Sequence, residues 1–377
     1  MRVAIDIRRI NEFGVGTYTR NAIRTLARLD NFNEYFLLGI PGRLGDVGPL
    51  PGNFITVPTH PNEFSVNSYL ELNRILKLNR CDLLHVPHLF WKPQSVPCPY
   101  VVTVHDLLDH LYRVNSASWV QRSLHFQFTK RVLHHAARIF AVSNFSKKDT
   151  ERLFQVPGEK IEVIYNALDD RFRQGHATDA DRKLIAERYQ VTYPFLLYAG
   201  RISPHKNIVR IIEAFCALKA ELHKEGEFPD LKLIIIGDEL SKHPDLRRAV
   251  IKSRVQNDVR FLGFVPIGVL RIFYDLAKIF VFPSLYEGFG LPPLEAMAHG
   301  TPVVTSNTSS IPEVVGNAAV MVNPENVFEI QRALYRVLLD QNLREKLKAR
   351  GVEQAQKFSW EDSVGRMLKV YKEVACC

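Results

Sequence analysis

An alternation restricts this chain more than any single motif does. Short apolar, β-branched runs recur along it, each followed by a stretch with helical spacing, and they do so in two series. The first series contains "RVAIDI", "YFLLGI", "LLHV", "YVVTVHD", "RIFAVS" and "IEVIYN". The second restarts with "FLLYAGR" and runs through "LKLIIIGD", "VRFLGFV", "IFVFPS", "PVVTS" and "AVMV". Such alternation argues for parallel sheets built from βαβ units. Between the series lies the polar segment "DDRFRQGHATDADRK", which reads as a linker. The expectation is an α/β chain of two doubly wound parallel-sheet (Rossmann-like) domains, residues 1–172 and 173–358. A length of 377 residues suits two cores. The last segment, "SWEDSVGRMLKVYKEV", has Ser359 as an N-cap and apolar helical spacing through Val364, Met367, Leu368 and Tyr371. It follows the completed second sheet, so the helix 359–377 is expected to return to the first domain.

Composition narrows the function. Hydrophobic and charged contents of 46% and 24% are those of a soluble globular protein. The N-terminus lacks the apolar core of a signal peptide, and no apolar run reaches the ~18 residues of a membrane span. The five cysteines, Cys81, Cys98, Cys216, Cys376 and Cys377, show no metal-ligand spacing. These features lead to the expectation of a cytoplasmic protein, and they assign no role to Cys376 and Cys377. The formal charge of +9 favours an anionic partner: nucleic acid, a phosphorylated metabolite or an anionic membrane surface. Nucleic acid has only the charge in its favour, because interleaved basic and aromatic strands are missing.

The densest motif is "SLYEGFGLPPLEAMAHGTPVV", Ser284 to Val304. It reads as a loop after the strand "KIFVFPS", a short helix opened by Pro292 and Pro293, and a stop at Gly300. Ligands of open parallel sheets bind at such strand ends. The glycines permit close approach of a ligand to the backbone. Glu287 is expected in the loop and Glu295 in the first helical turn, where each carboxylate suits vicinal hydroxyls. By spacing alone, an ordinary strand–helix turn with glutamates near the helix N-terminus explains the motif equally well. Six further segments stand at strand ends. "YAGRISPHKN" carries Arg201 and Lys206, a setting for a dianion. "RFLGFVP" carries Phe264 and Val265, which by themselves read as packing. "NEFGVGTYTRN" holds Gly14 and Gly16 but puts Thr19 where a dinucleotide fingerprint needs its third glycine. "TVHDL" places His105 beside Asp106, the latter a helix cap. "LLHVPHLF" adds His85 and His88 as weaker acceptor-site candidates. Ser143 and Ser146 in "AVSNFSKKD" read as caps first.

Glu287-x7-Glu295 within "EGFGLPPLEAMAHGTPVV" closely resembles the signature of retaining GT-B glycosyltransferases of family GT4, and the resemblance spans nearly the whole chain. It implies two domains facing a cleft, with the donor nucleotide mostly in the second and the acceptor mostly in the first. It further implies that Glu287 and the amides of Gly288, Phe289, Gly290 and Leu291 bind the donor sugar. Glu295 then binds the ribose, Arg201 and Lys206 the diphosphate, and the backbone at Phe264 and Val265 the base. Gly14 and Gly16 face the donor phosphates and acceptor, and His105 lies near the reacting carbon.

The expectation is therefore a metal-independent retaining transferase, its nucleotide sugar a co-substrate rather than a cofactor. No Asp-x-Asp stands in the second domain's site motifs, which leaves the diphosphate to the two cations. The opening "DIRRINEFGVGTYTRNAI" resembles mannosyltransferases of surface polysaccharides, which points first to GDP-mannose and a glycan or lipid-linked acceptor. UDP-glucose, UDP-galactose and UDP-N-acetylglucosamine stay open, as does a nucleotide-sugar-binding protein without turnover. An epimerase of this architecture would convert the donor without an acceptor. A glycoside hydrolase using Glu287 and Glu295 leaves Arg201 and Lys206 without a task. Trp119, Phe126 and Phe128 mixed with Arg122, Lys130, Arg131 and Arg138 offer either a membrane-facing helix or a sheet-covering helix with a basic face.

Overall fold

The structure, a computed structural model, describes residues 1–12, 14–60, 65–89, 96–111, 119–173 and 175–376. Cys377 of the terminal pair, and Phe13, Phe90 and Gln174 of the quoted segments, lie outside the described residues. The chain divides into one compact unit of Met1–Ala167 with Ser359–Cys377, and a second of Leu168–Phe358. The turn Asp170–Phe172 enters the second unit because Phe172 is buried there, edge-on to Tyr274 and His299.

In the first unit seven strands form one parallel sheet: β1 Arg2–Asp6, β2 Glu34–Gly39, β3 Phe54–Pro58, β4 Leu83–Val86, β5 Tyr100–Val104, β6 Arg138–Ala141 and β7 Ile161–Val163. Their order is β3-β2-β1-β4-β5-β6-β7. The edge strand β3, "FITVP", escapes the sequence reading. It is only partly buried and closes on Pro58, a residue tolerated at a sheet edge because it cannot donate to a ladder. The helix Trp360–Ala375 belongs to this unit, as expected. Ser359 caps it by accepting from the Asp362 amide at 3.0 Å. Val364, Met367 and Tyr371 are buried, and the Ser363 hydroxyl donates to the Tyr165 carbonyl at 2.6 Å.

The second unit holds a six-stranded parallel sheet: β8 Phe195–Ala199, β9 Lys232–Ile236, β10 Val259–Gly263, β11 Ile279–Phe282, β12 Val303–Ser306 and β13 Val320–Val322. Their order is β10-β9-β8-β11-β12-β13. β8 and β11 are apolar and buried throughout, with Tyr198, Phe280 and Phe282 stacked across them. This is the pattern of strands covered on both faces. In each sheet the chain first moves one way and then resumes on the other side of its first strand. The strand order therefore reverses between β1 and β4, and between β8 and β11.

Candidate active site

At a reversal the two flanking strands send their following loops in opposite directions, which opens a crevice at their carboxyl ends. In the second unit those loops are the Arg201–Lys206 and Ser284–Gly290 segments. Asn207 ties them together. Its backbone is left-handed, φ +63°, and its side-chain amide donates to the carbonyls of Pro283 at 2.9 Å and Pro324 at 2.6 Å. The Leu285 amide adds a bond to the His205 carbonyl at 2.8 Å. Lys206 and Glu287 thereby become neighbours, with Lys206 Nζ 2.6 and 2.8 Å from the two oxygens of Glu287. Their side chains are only 14% and 11% exposed, so this is a nearly buried ion pair. Arg201, on the same loop, is exposed.

The carboxylate loop is held from β12's side. Ser309 Oγ accepts from the Glu287 amide at 3.1 Å, and Ser310 Oγ donates to the carbonyls of Glu287 and Phe289 at 2.9 and 2.7 Å. Gly288, Phe289 and Gly290 are buried. Gly290 has φ +114°, a conformation that favours glycine, and a Cβ there would lie 2.6 Å from Ile311 Cδ1, so that side-chain end would also have to shift. The helix Leu291–Ala298 follows with its prolines at the start. Glu295 is its fifth residue and opens the second turn, not the expected first turn, which holds no acidic residue. The dipole effect of a helix terminus fades within one turn, so the bland reading of Glu295 loses its basis. Instead Glu295 Oε2 accepts from the Tyr274 phenol at 2.8 Å, and burial pushes its carboxyl up to about 7. Phe264, 74% exposed, and buried Val265 follow edge strand β10. Two strand spacings, about 10 Å, separate β10 from β8, the scale of a nucleoside.

In the first unit Gly14 is exposed at the N-cap of the helix Val15–Leu29. Gly16 is buried, and a Cβ there would lie 2.3 Å from the Ile10 carbonyl oxygen. His105 stands at the end of β5. Its Nε2–H donates to the Pro87 carbonyl at 2.8 Å, its ring meets Tyr18 edge-on at 4.9 Å, and burial lowers it to about 4. It is therefore neutral near pH 7, with Nδ1 as the acceptor nitrogen. Asp106 caps as expected, accepting from the Leu108 amide at 3.0 Å, and Ser143 accepts from the Ser146 amide at 3.0 Å. His85 is not an acceptor-site residue. Both ring nitrogens are used inside the core, on Thr103 at 2.8 Å and Tyr371 at 2.6 Å. His88 is equally buried, 3.7 Å from Asp6.

Asn207, Ser309, Ser310 and Tyr274 were absent from the sequence reading. The hydroxyl run "TSNTSS", from the end of β12 into the following loop, is a signal for loop-holding residues. Tyr274 gives none, since in "RIFYDL" it reads as an apolar helix position. Among the described residues no group of three or more His, Cys, Asp or Glu side chains is arranged to hold a metal, and no helix is long and apolar enough to cross a membrane.

Comparisons with known proteins identify the family and the fold. Residues 181–354 match the family model "Glycosyl transferases group 1", and residues 14–172 match "Glycosyltransferase Family 4". The O-antigen chain mannosyltransferase B of Escherichia coli is 34% identical over 277 residues, 72% of this chain and 70% of its own length. Sucrose-phosphate synthase from Thermosynechococcus elongatus superposes with a TM-score of 0.78 at 19% identity, over 99% of this chain and 98% of that one. Anabaena Alr3699/HepE, solved in complex with UDP-glucose, gives a TM-score of 0.78 at 17% identity, over 98% and 100%. The two structural likenesses bear on fold alone, and that fold is GT-B. With the family models matching both units and a curated relative above 30% identity, the chain belongs to the group 1 glycosyl transferases of family GT4 and is a glycosyltransferase.

Proposed function

We propose that this chain is a retaining, metal-independent mannosyltransferase that moves mannose from GDP-mannose to a glycan or lipid-linked saccharide. The observation that supports it best is the closure of Lys206 on Glu287, from two separate motifs, at the β8–β11 reversal, with Glu295 on the helix that follows the same loop. Arg201 and Lys206 neutralise the leaving diphosphate. Glu287 and the amides of Gly288, Phe289, Gly290 and Leu291 hold the sugar, Glu295 the ribose, and the backbone at Phe264 and Val265 the base. In the first unit, His105, Gly14 and Gly16 keep the roles that the resemblance implies. The acceptor oxygen attacks the anomeric carbon on the face from which the diphosphate leaves, and the departing phosphate takes the acceptor proton. No protein nucleophile takes part. A diphosphate competes with Glu287 for Lys206, since one unit charge about 4 Å away is worth ~4 kcal/mol at an effective dielectric near 20.

Mannose is supported by the identity with the O-antigen mannosyltransferase. A peripheral contact with anionic membrane, where a lipid-linked acceptor would be met, is supported by the helix Trp119–His135. It exposes Trp119, Val120, Leu124 and Phe128 beside Arg122 and Arg131, and no acidic residue stands between Asp109 and Asp149. A donor panel with and without EDTA tests the proposal. GDP-mannose should be consumed equally in EDTA and give the α anomer by NMR. Turnover of UDP-sugars alone overturns the donor, an inverted anomer overturns retention, and EDTA loss rescued by Mg²⁺ overturns metal independence. Flotation with anionic but not neutral vesicles is the expected membrane result.

A further inference from the structure

Tyr274 sits at the end of the helix Ile267–Leu276 with its side chain fully buried. Its phenol donates to Glu295 Oε2 at 2.8 Å. The residue itself is fixed from several sides. Its carbonyl accepts from Thr301 Oγ1 at 2.5 Å, and its ring stacks on His299 with centroids 6.0 Å apart. Phe172 and Phe280 meet the ring edge-on. His299 is in turn held by Asp275, Nδ1 to Oδ1 3.0 Å. Phenylalanine would fill the same space, and a hydroxyl this deep costs stability unless it is bonded. The bond it makes goes to a single carboxylate.

We propose that Tyr274 is a positioning residue for nucleotide binding: by fixing Oε2 of Glu295 it leaves Oε1 to accept the ligand's vicinal hydroxyls. This rests on the reading of Glu295 as the nucleotide-binding carboxylate. The surroundings give the phenol a second task. Burial raises the Glu295 carboxyl and the Tyr274 bond opposes that rise, while Asp169, itself paired with Arg171 at 2.8 Å, adds to it. The neighbouring elements bring no further charge to their buried faces. β11 and β12 are apolar or hydroxyl-bearing, the helix Ile311–Val315 buries Ile311, Val314 and Val315, and the helix Gln341–Gln356 buries Leu347, Gly351, Gln354 and Ala355. His299 stacks on the tyrosine ring and Asp275 pairs with His299. An ionised Glu295 accepts two hydroxyls, and protonation removes part of that capacity.

Calorimetric titration of GDP and UDP into the full chain from pH 6 to 9 tests this, for wild type, Tyr274→Phe and Glu295→Gln. Wild-type affinity should fall as pH drops through about 7. Tyr274→Phe, folded by circular dichroism, should bind about tenfold more weakly at pH 7. Its pH curve should move up by about one unit, so that the loss shrinks by pH 9. Glu295→Gln should bind weakly at every pH. Wild-type affinity and midpoint in Tyr274→Phe, or an equal loss at all pH values, overturns the proposal while leaving Glu295 in place. Wild-type affinity in Glu295→Gln overturns the reading of Glu295, and this proposal with it.

Discussion

The two sheets reverse their strand order at equivalent points, β1/β4 in one unit and β8/β11 in the other, yet different chemistry stands at the two reversals. In the first unit the strand ends carry imidazoles held neutral by burial, with His85 lowered to about 3 and His88 and His105 to about 4. A closed pair of Asp6 and Arg8 lies beside them at 2.6 Å. In the second unit the ends carry ionic groups: the Lys206–Glu287 pair, exposed Arg201, and Glu295 near its ionisation point. A shared topology supplies the place for a ligand, and the residues in the loops decide which charges meet it.

The sharpest way to break this contrast is to remove charge from the second unit. Lys206→Met should lower transfer by about 10³-fold or more. It should also cost about 3 kcal/mol of stability, because Glu287 is left buried and unpaired. The double variant Lys206→Met/Glu287→Leu should regain most of the stability and none of the activity, as read by urea melts and a turnover assay. Recovery of activity would end the assignment.

Next comes the separation of nucleotide binding from turnover. His105→Ala should lower turnover by about 10²-fold while keeping GDP affinity within about twofold. Glu295→Ala should weaken GDP by about tenfold or more. Equal loss of GDP affinity in both would erase the difference between the units.

Acid should act on the two ends with opposite sign. The three histidines have folded values below the ordinary 6.5, so the unfolded chain takes up protons first. The stability they support is present above about 6.5 and is lost as pH falls toward 4. Glu295 is raised from 4.5 to about 7, so the second unit gains at that residue as pH falls through this window, partly offset by His205, lowered to about 4. All three tryptophans, Trp91, Trp119 and Trp360, fall within the first unit's residue ranges. Between pH 7 and 5, the urea midpoint by tryptophan fluorescence should therefore drop more than the midpoint by far-UV circular dichroism. The smallest effect is Ser359→Ala, about 1 kcal/mol from a lost cap, seen by fluorescence and without change in nucleotide affinity.

Most of the architecture is legible in the sequence. In the second sheet the central strands β8 and β11 are continuous apolar runs, and burial on both faces is what makes them so. β3 was missed because an edge strand is only half-buried and carries the weak pattern that goes with it. His85 reads as a weaker acceptor-site candidate because a histidine at a strand end looks the same in sequence whether its ring faces a ligand or, as here, Thr103 and Tyr371.

Local order along the chain, with its alternating periods, its caps and its glycine-proline punctuation, was enough to set two parallel sheets and a returning helix, while the candidate site residues came from the resemblance of their motifs to a family. Those signals act within a few residues, through backbone conformation and the apolar repeat. Partnership is a different matter. That Lys206 closes on Glu287, that Tyr274 bonds Glu295, and that Ser310 holds the carboxylate loop follow from strand order and helix packing between residues far apart in sequence. Such contacts arise from burial and hydrogen-bond demand in three dimensions, and no pattern of neighbours along the chain encodes them.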